Sequence, residues 1–199
     1  MVFAFPMIIG YLFQQLYTLV DSVVVGEYVS ENALAAVGAS YSLTAVFISI
    51  AIGGGIGASV ITSRYFGARD YHKMKNSMKT ALFVFCILSI ALAVIGWMFS
   101  QQMMIWLNTP QAVLSDAVLY LKIYFLGLPF LFMYNILASM FNSLGKSKIP
   151  LYLLIFSSVF NIVLDVVLVR DYQMGVKGVA LATFIAQGIS AVLSVALLA

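Results

Sequence analysis

Uncharged apolar runs recur along the chain between short polar breaks. Six of them are long enough to cross about 30 Å of hydrocarbon as helices: about Phe3–Gly26, Ala39–Ser63, Thr80–Ser100, Ala117–Ser143, Ile149–Val169 and Gly178–Ala199. None shows the short apolar–polar alternation of an outer-membrane barrel strand. The pattern predicts an all-α integral membrane protein, with residues 1–199 forming one unit of six transmembrane helices and no linker or low-complexity segment dividing it. The breaks carry turn chemistry. "NTPQ" (Asn108–Gln111) predicts a connection between spans 3 and 4, and "GKSKIP" (Gly145–Pro150) a tight turn at which one helix ends on Gly and the next begins near Pro.

Composition agrees with the pattern. Of the residues, 63% are apolar and 9% charged, against roughly 45–50% and 25% in soluble domains. Charge adds the orientation. Arg64, Arg69, Lys73, Lys75 and Lys79 lie in or beside the connection between spans 2 and 3, and Lys146 and Lys148 lie between spans 4 and 5. Lys122, Arg170 and Lys177 fall on the other side. The bias places the 2–3 and 4–5 loops, and both ends of the segment, in the cytoplasm. The net charge of +3 is then a topology signal, and no nucleic-acid partner is expected.

The first run has no basic segment before it and ends in Asp-Ser-Val-Val-Val-Gly, so it is expected to remain as a helix and not to be cleaved as a signal peptide. Cys86, within span 3, reads as a small buried apolar residue. His72 reads as a solvated loop histidine, because no second His, Cys or carboxylate cluster accompanies it.

Against this background "FQQLYTLVDSVVVG" (Phe13–Gly26) stands out, because it carries an acid inside an apolar run. Only Asp21 and Asp165 are acids well within a span. An ionised side chain at a helix centre costs about 2.5–3.5 kcal/mol on insertion scales, which makes such residues functional candidates by default. A faint echo between "VDSVVVGEY" (Val20–Tyr28) and "LDVVLVRDY" (Leu164–Tyr172) places the two acids at equivalent depths. Spans 4 and 6 run the opposite way, which brings Tyr120 and Thr183 to a similar level in the outer half of the bilayer.

Asn161 and Asp165 share a face of span 5 at i and i+4, and Gln14, Tyr17 and Asp21 follow one stripe of span 1. If these faces turn inward they make a polar pocket with two carboxylates, an amide, a phenol and a hydroxyl. Only Lys122 among the cations reaches that depth, and it extends equally well to the interface. Two carboxylates without a fixed cation must take up a proton or bind a small hard cation through carboxylate, amide and hydroxyl oxygens. The competing reading is that Asn, Thr and Tyr only hold helices together by hydrogen bonds.

Gly53 and Gly57, in "GGGIGAS", have the small-xxx-small spacing of a helix-packing face, with a transport hinge as the sharper alternative. The 15 Phe and 10 Met read as lipid-facing or core residues, some of them able to line an adaptable cavity.

Three stretches together, "P…QQLY…VDSVVVG…ALAAVGAS" (Pro6–Ser40), "GGGIGASVITSRYFGARD" (Gly53–Asp70) and "N…LD…MGVKGVALAT" (Asn161–Thr183), are similar to the amino-terminal half of bacterial multidrug and toxic compound extrusion (MATE) transporters. The resemblance implies six of twelve spans, forming one of two lobes around a central cavity. It implies export of cationic or amphipathic compounds against an inward flow of protons or sodium ions, in a bacterial cell (inner) membrane. By position, the ion site would comprise Asp21, Asn161, Asp165 and Thr183, with Tyr120 nearby, and Gln14 and Tyr17 would face the cavity.

The chain starts almost inside its first helix and stops within an apolar run, so a missing carboxy-terminal lobe is expected as its partner. The expected function is a cation-coupled antiporter, not an enzyme, with no cofactor beyond the coupling H+ or Na+. Its expected contacts are small organic substrates and the lipid bilayer. The alternatives are a lipid-linked saccharide flippase of the same superfamily, which would call for an arginine-rich cavity, or a non-transporting membrane scaffold fragment.

Overall fold

The computed structural model describes residues 4–198, the side chains of residues 4–7, 11 and 17 excepted. Six helices account for nearly all of them: α1 (Ala4–Tyr28), α2 (Glu31–Gly67), α3 (Tyr71–Trp106), α4 (Gln111–Ser143), α5 (Lys148–Asp165) and α6 (Gly175–Leu198). A π-helical turn over Val166–Asp171 continues α5. All six, counting that turn with α5, are long and apolar enough to cross a membrane. Several outrun the apolar stretches that predict them. α3, for example, begins nine residues before Thr80, because lysines and polar residues continue the helix beyond hydrocarbon at no steric cost.

The connections are short and chemically marked. Ser30 caps α2 by accepting the Ala33 N–H at 3.1 Å. Asp70 caps α3 by accepting the Lys73 N–H at 3.1 Å, and the Lys73 ammonium lies 3.0 Å from its other oxygen. Those bonds to Lys73, the backbone one first, hold the Asp70 carboxyl below its ordinary value of 3.8. At the α4–α5 turn Gly145 takes φ +77°, and the Lys146 N–H reaches back to the Phe141 carbonyl at 2.9 Å. That is the Gly-ended helix expected of "GKSKIP".

α4 is the central post and carries the longest roster of buried residues. It runs parallel to α2, as shown by Ser40 bonding the Ala117 carbonyl at 3.4 Å and the Tyr124 hydroxyl bonding the Thr44 carbonyl at 3.3 Å. Phe125, fully buried, meets the Phe47 edge at 5.0 Å. The ring fits because the facing α3 residue is Gly96, whose absent Cβ would lie inside it. α5 lies antiparallel to α6, with Ser157 bonding the Ala186 carbonyl at 3.5 Å. Leu151 and Leu154 of α5 pack against Gly10 of α1.

The glycine cluster on α2 packs through a different face from the one its spacing predicts. Gly53 and Gly57 are exposed, with open space where a Cβ would be. The close approaches are at Gly54, where a Cβ would overlap the Phe85 ring of α3, and at Gly55, where it would sit 2.6 Å from the Ser139 hydroxyl and 3.0 Å from the Asn135 carbonyl of α4. The reason is helical phase: the buried stripe runs through Ala51, Gly55, Ala58 and Thr62, and residues 53 and 57 point away from it. Gly55→Ala is therefore expected to destabilise the protein by about 1–3 kcal/mol through overpacking. Gly57→Ala should be neutral or stabilising by up to about 1 kcal/mol through helix propensity. Thermal unfolding in detergent would compare them, and equal effects would defeat the assignment.

Candidate functional site

Asp21 and Asp165 meet. α1 and α5 rise side by side, and the two carboxyl groups face each other at hydrogen-bonding range. Asp165 is fully buried and Asp21 half-buried. Asn161, one turn before Asp165 on the inner stripe of α5, joins the pair to α6. The amide orientation that satisfies both of its ends has Nδ2 donating to Asp21 Oδ1 at 3.0 Å and Oδ1 accepting the Thr183 N–H at 3.3 Å. The opposite orientation leaves a marginal 3.5 Å contact with the Thr183 hydroxyl. Asp165 Oδ1 is buried with no protein donor among the described residues. Two carboxylates offer only acceptors, so their contact needs a proton or a cation between them.

Helix arithmetic explains the common level. Asp21 is seven residues from the end of α1, and Thr183 is eight residues into α6; both offsets are about 10–12 Å at 1.5 Å per residue. Asp165 is the last α-helical residue before the π-turn. This turn is absent from the sequence reading, which treats span 5 as one regular helix. π-turns arise where an extra residue is accommodated, often at functional positions. Here the Tyr172 N–H reaches the Val167 carbonyl at 3.1 Å and the Met174 N–H the Leu168 carbonyl at 3.0 Å.

Of the other predicted site residues, Gln14 lines the cavity described next, and the Tyr17 side chain lies outside the described residues. Tyr120 packs against the valines beside the acid pair and shares a small crevice with Thr183, Tyr124 and Gln187. Lys122 turns to the α3 side, its ammonium 5.2 Å from the Trp97 ring centre, which is cation–π distance.

Below Asn161 opens a cavity of about 320 Å³ walled by α1, α2, α4, α5 and α6. No charged side chain lines it among the described residues, yet its wall is rich in amides and hydroxyls. Asn135, Ser139 and Asn142 follow one stripe of α4, and Thr183, Gln187 and Ser190 one stripe of α6. Apart from Thr183, the sequence reading passes over both stripes. Their spacings of three and four residues are the signal that would reveal them.

The family model described as MatE matches residues 6–167, most of the chain, including Asp21, Asn161 and Asp165 but not α6. The chain belongs to the MatE family. It is 33% identical over 187 residues to "Probable multidrug resistance protein YoeA" of Bacillus subtilis (strain 168), covering 92% of this chain and 40% of that protein. It is 28% identical over 183 residues to "Multidrug export protein MepA" of Staphylococcus saprophyticus, covering 92% of this chain and 41% of that one. Among solved structures, an outward-facing multidrug resistance MATE family transporter of the MOP superfamily superposes with a TM-score of 0.92. Its identity is 25%, over 98% of this chain and 43% of the other. A MATE crystal structure in a bent conformation gives 0.89 at 26% identity, over 96% and 42%. This MatE chain thus spans about two fifths of the length of the relatives it matches, and its six helices correspond to one lobe of them.

Proposed function

We propose that the chain is the amino-terminal lobe of a multi-pass transporter in the bacterial cell membrane, with both ends of this segment cytoplasmic. In this reading it exports drugs or other organic cations and amphipathic compounds as a proton- or sodium-coupled antiporter, together with a second lobe. Asp21, Asn161, Asp165 and Thr183, with Tyr120 beside them, would be the coupling-ion site, and Gln14 and Tyr17 would belong to the substrate cavity. The observation that carries this is the bridged acid pair at the head of an uncharged polar cavity, Asn161 tying Asp21 to α6.

A buried acid pair changes charge whenever an ion enters or leaves, so its occupancy biases how α1 sits against α5 and α6. For that bias to drive transport, the ion must bind one conformation better than the other; shifting a population from 1:99 to 99:1 takes about 10⁴-fold preference. Substrate and ion then compete through the same conformational balance.

The polarity of the cavity favours this reading over a flippase for lipid-linked saccharides. A phosphorylated cargo calls for arginine or lysine, and the cavity wall has neither among the described residues. The test is dye or fluoroquinolone efflux by the full-length protein in proteoliposomes under an imposed proton or sodium gradient. One of the two gradients should drive efflux, and its collapse should stop it. Efflux indifferent to both would overturn the antiporter reading.

A further inference from the structure

α3 stands outside the ring of helices that walls the cavity. Among the described elements it packs on α2 and α4 alone, and none of its described residues lines the cavity. Its outer face is apolar and open: Phe83 is 69% exposed and Ile90 49%. A second lobe placed to close the cavity would meet the cavity wall, which leaves this face of α3 to lipid.

The α2–α3 end of that face carries an excess of positive charge. Between Glu31 and Asp116 in sequence the one acid is Asp70, against Arg64, Arg69, Lys73, Lys75 and Lys79. Asp70 is occupied by the cap of α3 and by the Lys73 ammonium at 3.0 Å. The other four cations are exposed and have no ion pair among the described residues. From Thr80 to Trp106 α3 carries no charge, so Lys79 stands at the edge of the hydrocarbon, with Lys75 about 6 Å beyond it.

Helical phase joins these lysines to the apolar surface. At 100° per residue, Lys75, Lys79, Phe83 and Ile90 fall within an arc of about 80°, and the half-buried Cys86 lies on the same arc. Lys79 and Ile90 are about 16 Å apart along the helix at 1.5 Å per residue. That is about half of the 30 Å of hydrocarbon in a bilayer, the depth of one leaflet. Charge bias across the membrane accounts for the side on which the lysines lie, but lysines on any face of α3 would satisfy it. It does not account for two lysines heading a lipid-facing stripe one leaflet deep.

From these observations we propose that the Lys75–Lys79 face of α3 is a binding site for an anionic diacyl phospholipid. The two ammonium groups hold the phosphate, and Arg64 and Arg69 of the adjoining turn add to the positive field. The acyl chains lie along Phe83 and Ile90, where the lysine stems continue the same surface. The apolar stripe directly below the charges is what selects an amphiphile over a free phosphate ion. The site is remote from the acid pair, so it stands or falls independently of the coupling-ion reading.

The test reads lipid contact at the middle of the stripe. The full-length protein, with Cys86 as its sole cysteine and bimane attached there, is placed in phosphatidylcholine vesicles containing phosphatidylglycerol with a nitroxide on its acyl chain. Nitroxide-phosphatidylcholine in the same vesicles is the reference. Phosphatidylglycerol should reach half-maximal quenching at a mole fraction at least about fivefold lower, the preference expected of a lysine beside an anionic headgroup. Lys75→Gln/Lys79→Gln should bring the two lipids within about twofold of each other. Lys146→Gln/Lys148→Gln, at the α4–α5 turn, should leave the preference unchanged.

Equal quenching by the two lipids in the parent protein would overturn the site. So would an equal loss of preference in both double variants, because overall charge and not this face would then attract the lipid. Absence of quenching by either lipid would show the face covered by protein, and would overturn it too. Displacement by millimolar inorganic phosphate, beyond that by chloride at equal ionic strength, would replace the lipid site with an anion site.

Discussion

Asp165→Asn is expected to reduce gradient-driven drug efflux by the full-length protein at least about tenfold, and Asp21→Asn to do the same. Asparagine nearly preserves the shape of aspartate, so the helices should still assemble. What is lost is an oxygen pair that can take a proton or a cation. Asp165 has the larger expected effect, because it is fully buried and faces Asp21 while one of its oxygens has no protein donor among the described residues. Asp21 keeps the bond to the Asn161 amide, which as a donor suits either a charged or a neutral acceptor.

A second readout separates coupling from folding. If the pair binds the ion, the parent protein gains thermal stability in detergent as sodium rises or as pH falls, by linkage, and the variants do not. Undiminished gradient-driven efflux in both variants would sink the ion-site reading.

The largest expected effect on stability lies far from the acids, at the crossing of α2, α3 and α4. Gly96→Ala should cost about 1–3 kcal/mol, because the new methyl would enter the space held by the Phe125 ring. That ring cannot easily retreat, since Phe47 and Tyr124 hold it edge-on at 5.0 and 6.0 Å. Phe125→Ala should cost about 3–5 kcal/mol through the cavity it leaves. The lower end is the better expectation, because helices in lipid associate by packing and not by exclusion of water.

The double variant Gly96→Ala/Phe125→Leu is the decisive comparison. It should be more stable than the sum of its singles predicts by at least about 0.5 kcal/mol, since the smaller side chain makes room for the methyl. Additive losses in thermal unfolding would show that the two residues do not share one packing site.

Some of this protein could be read before any coordinates. Six apolar runs gave six helices, because a chain in lipid must satisfy its backbone within each span and only a helix of about 20 residues does so. Asp21 and Asp165 were legible because the cost of burying an acid in hydrocarbon makes each conspicuous, and Asn161 and Thr183 joined them through the i, i+4 spacing to Asp165 and the depth that helical rise fixes. The Gly145 turn was legible for the same local reason, a φ of +77° that glycine tolerates.

Tertiary structure decided what lies around and between the helices. Which glycine of "GGGIGAS" touches α4 depends on the rotational phase of α2, and spacing alone chose Gly53 and Gly57 over the true contact at Gly55. Serines and asparagines are tolerated on any face of a membrane helix, so Ser158, Ser190 and Asn142 were passed over until the packing of five helices gathered them on one cavity. The π-turn after Asp165 and the valine cluster above it are likewise products of assembly. Sequence sets the depth of each polar group, because rise per residue is local. The direction in which each group points, and which groups meet, is set by how neighbouring helices rotate to pack.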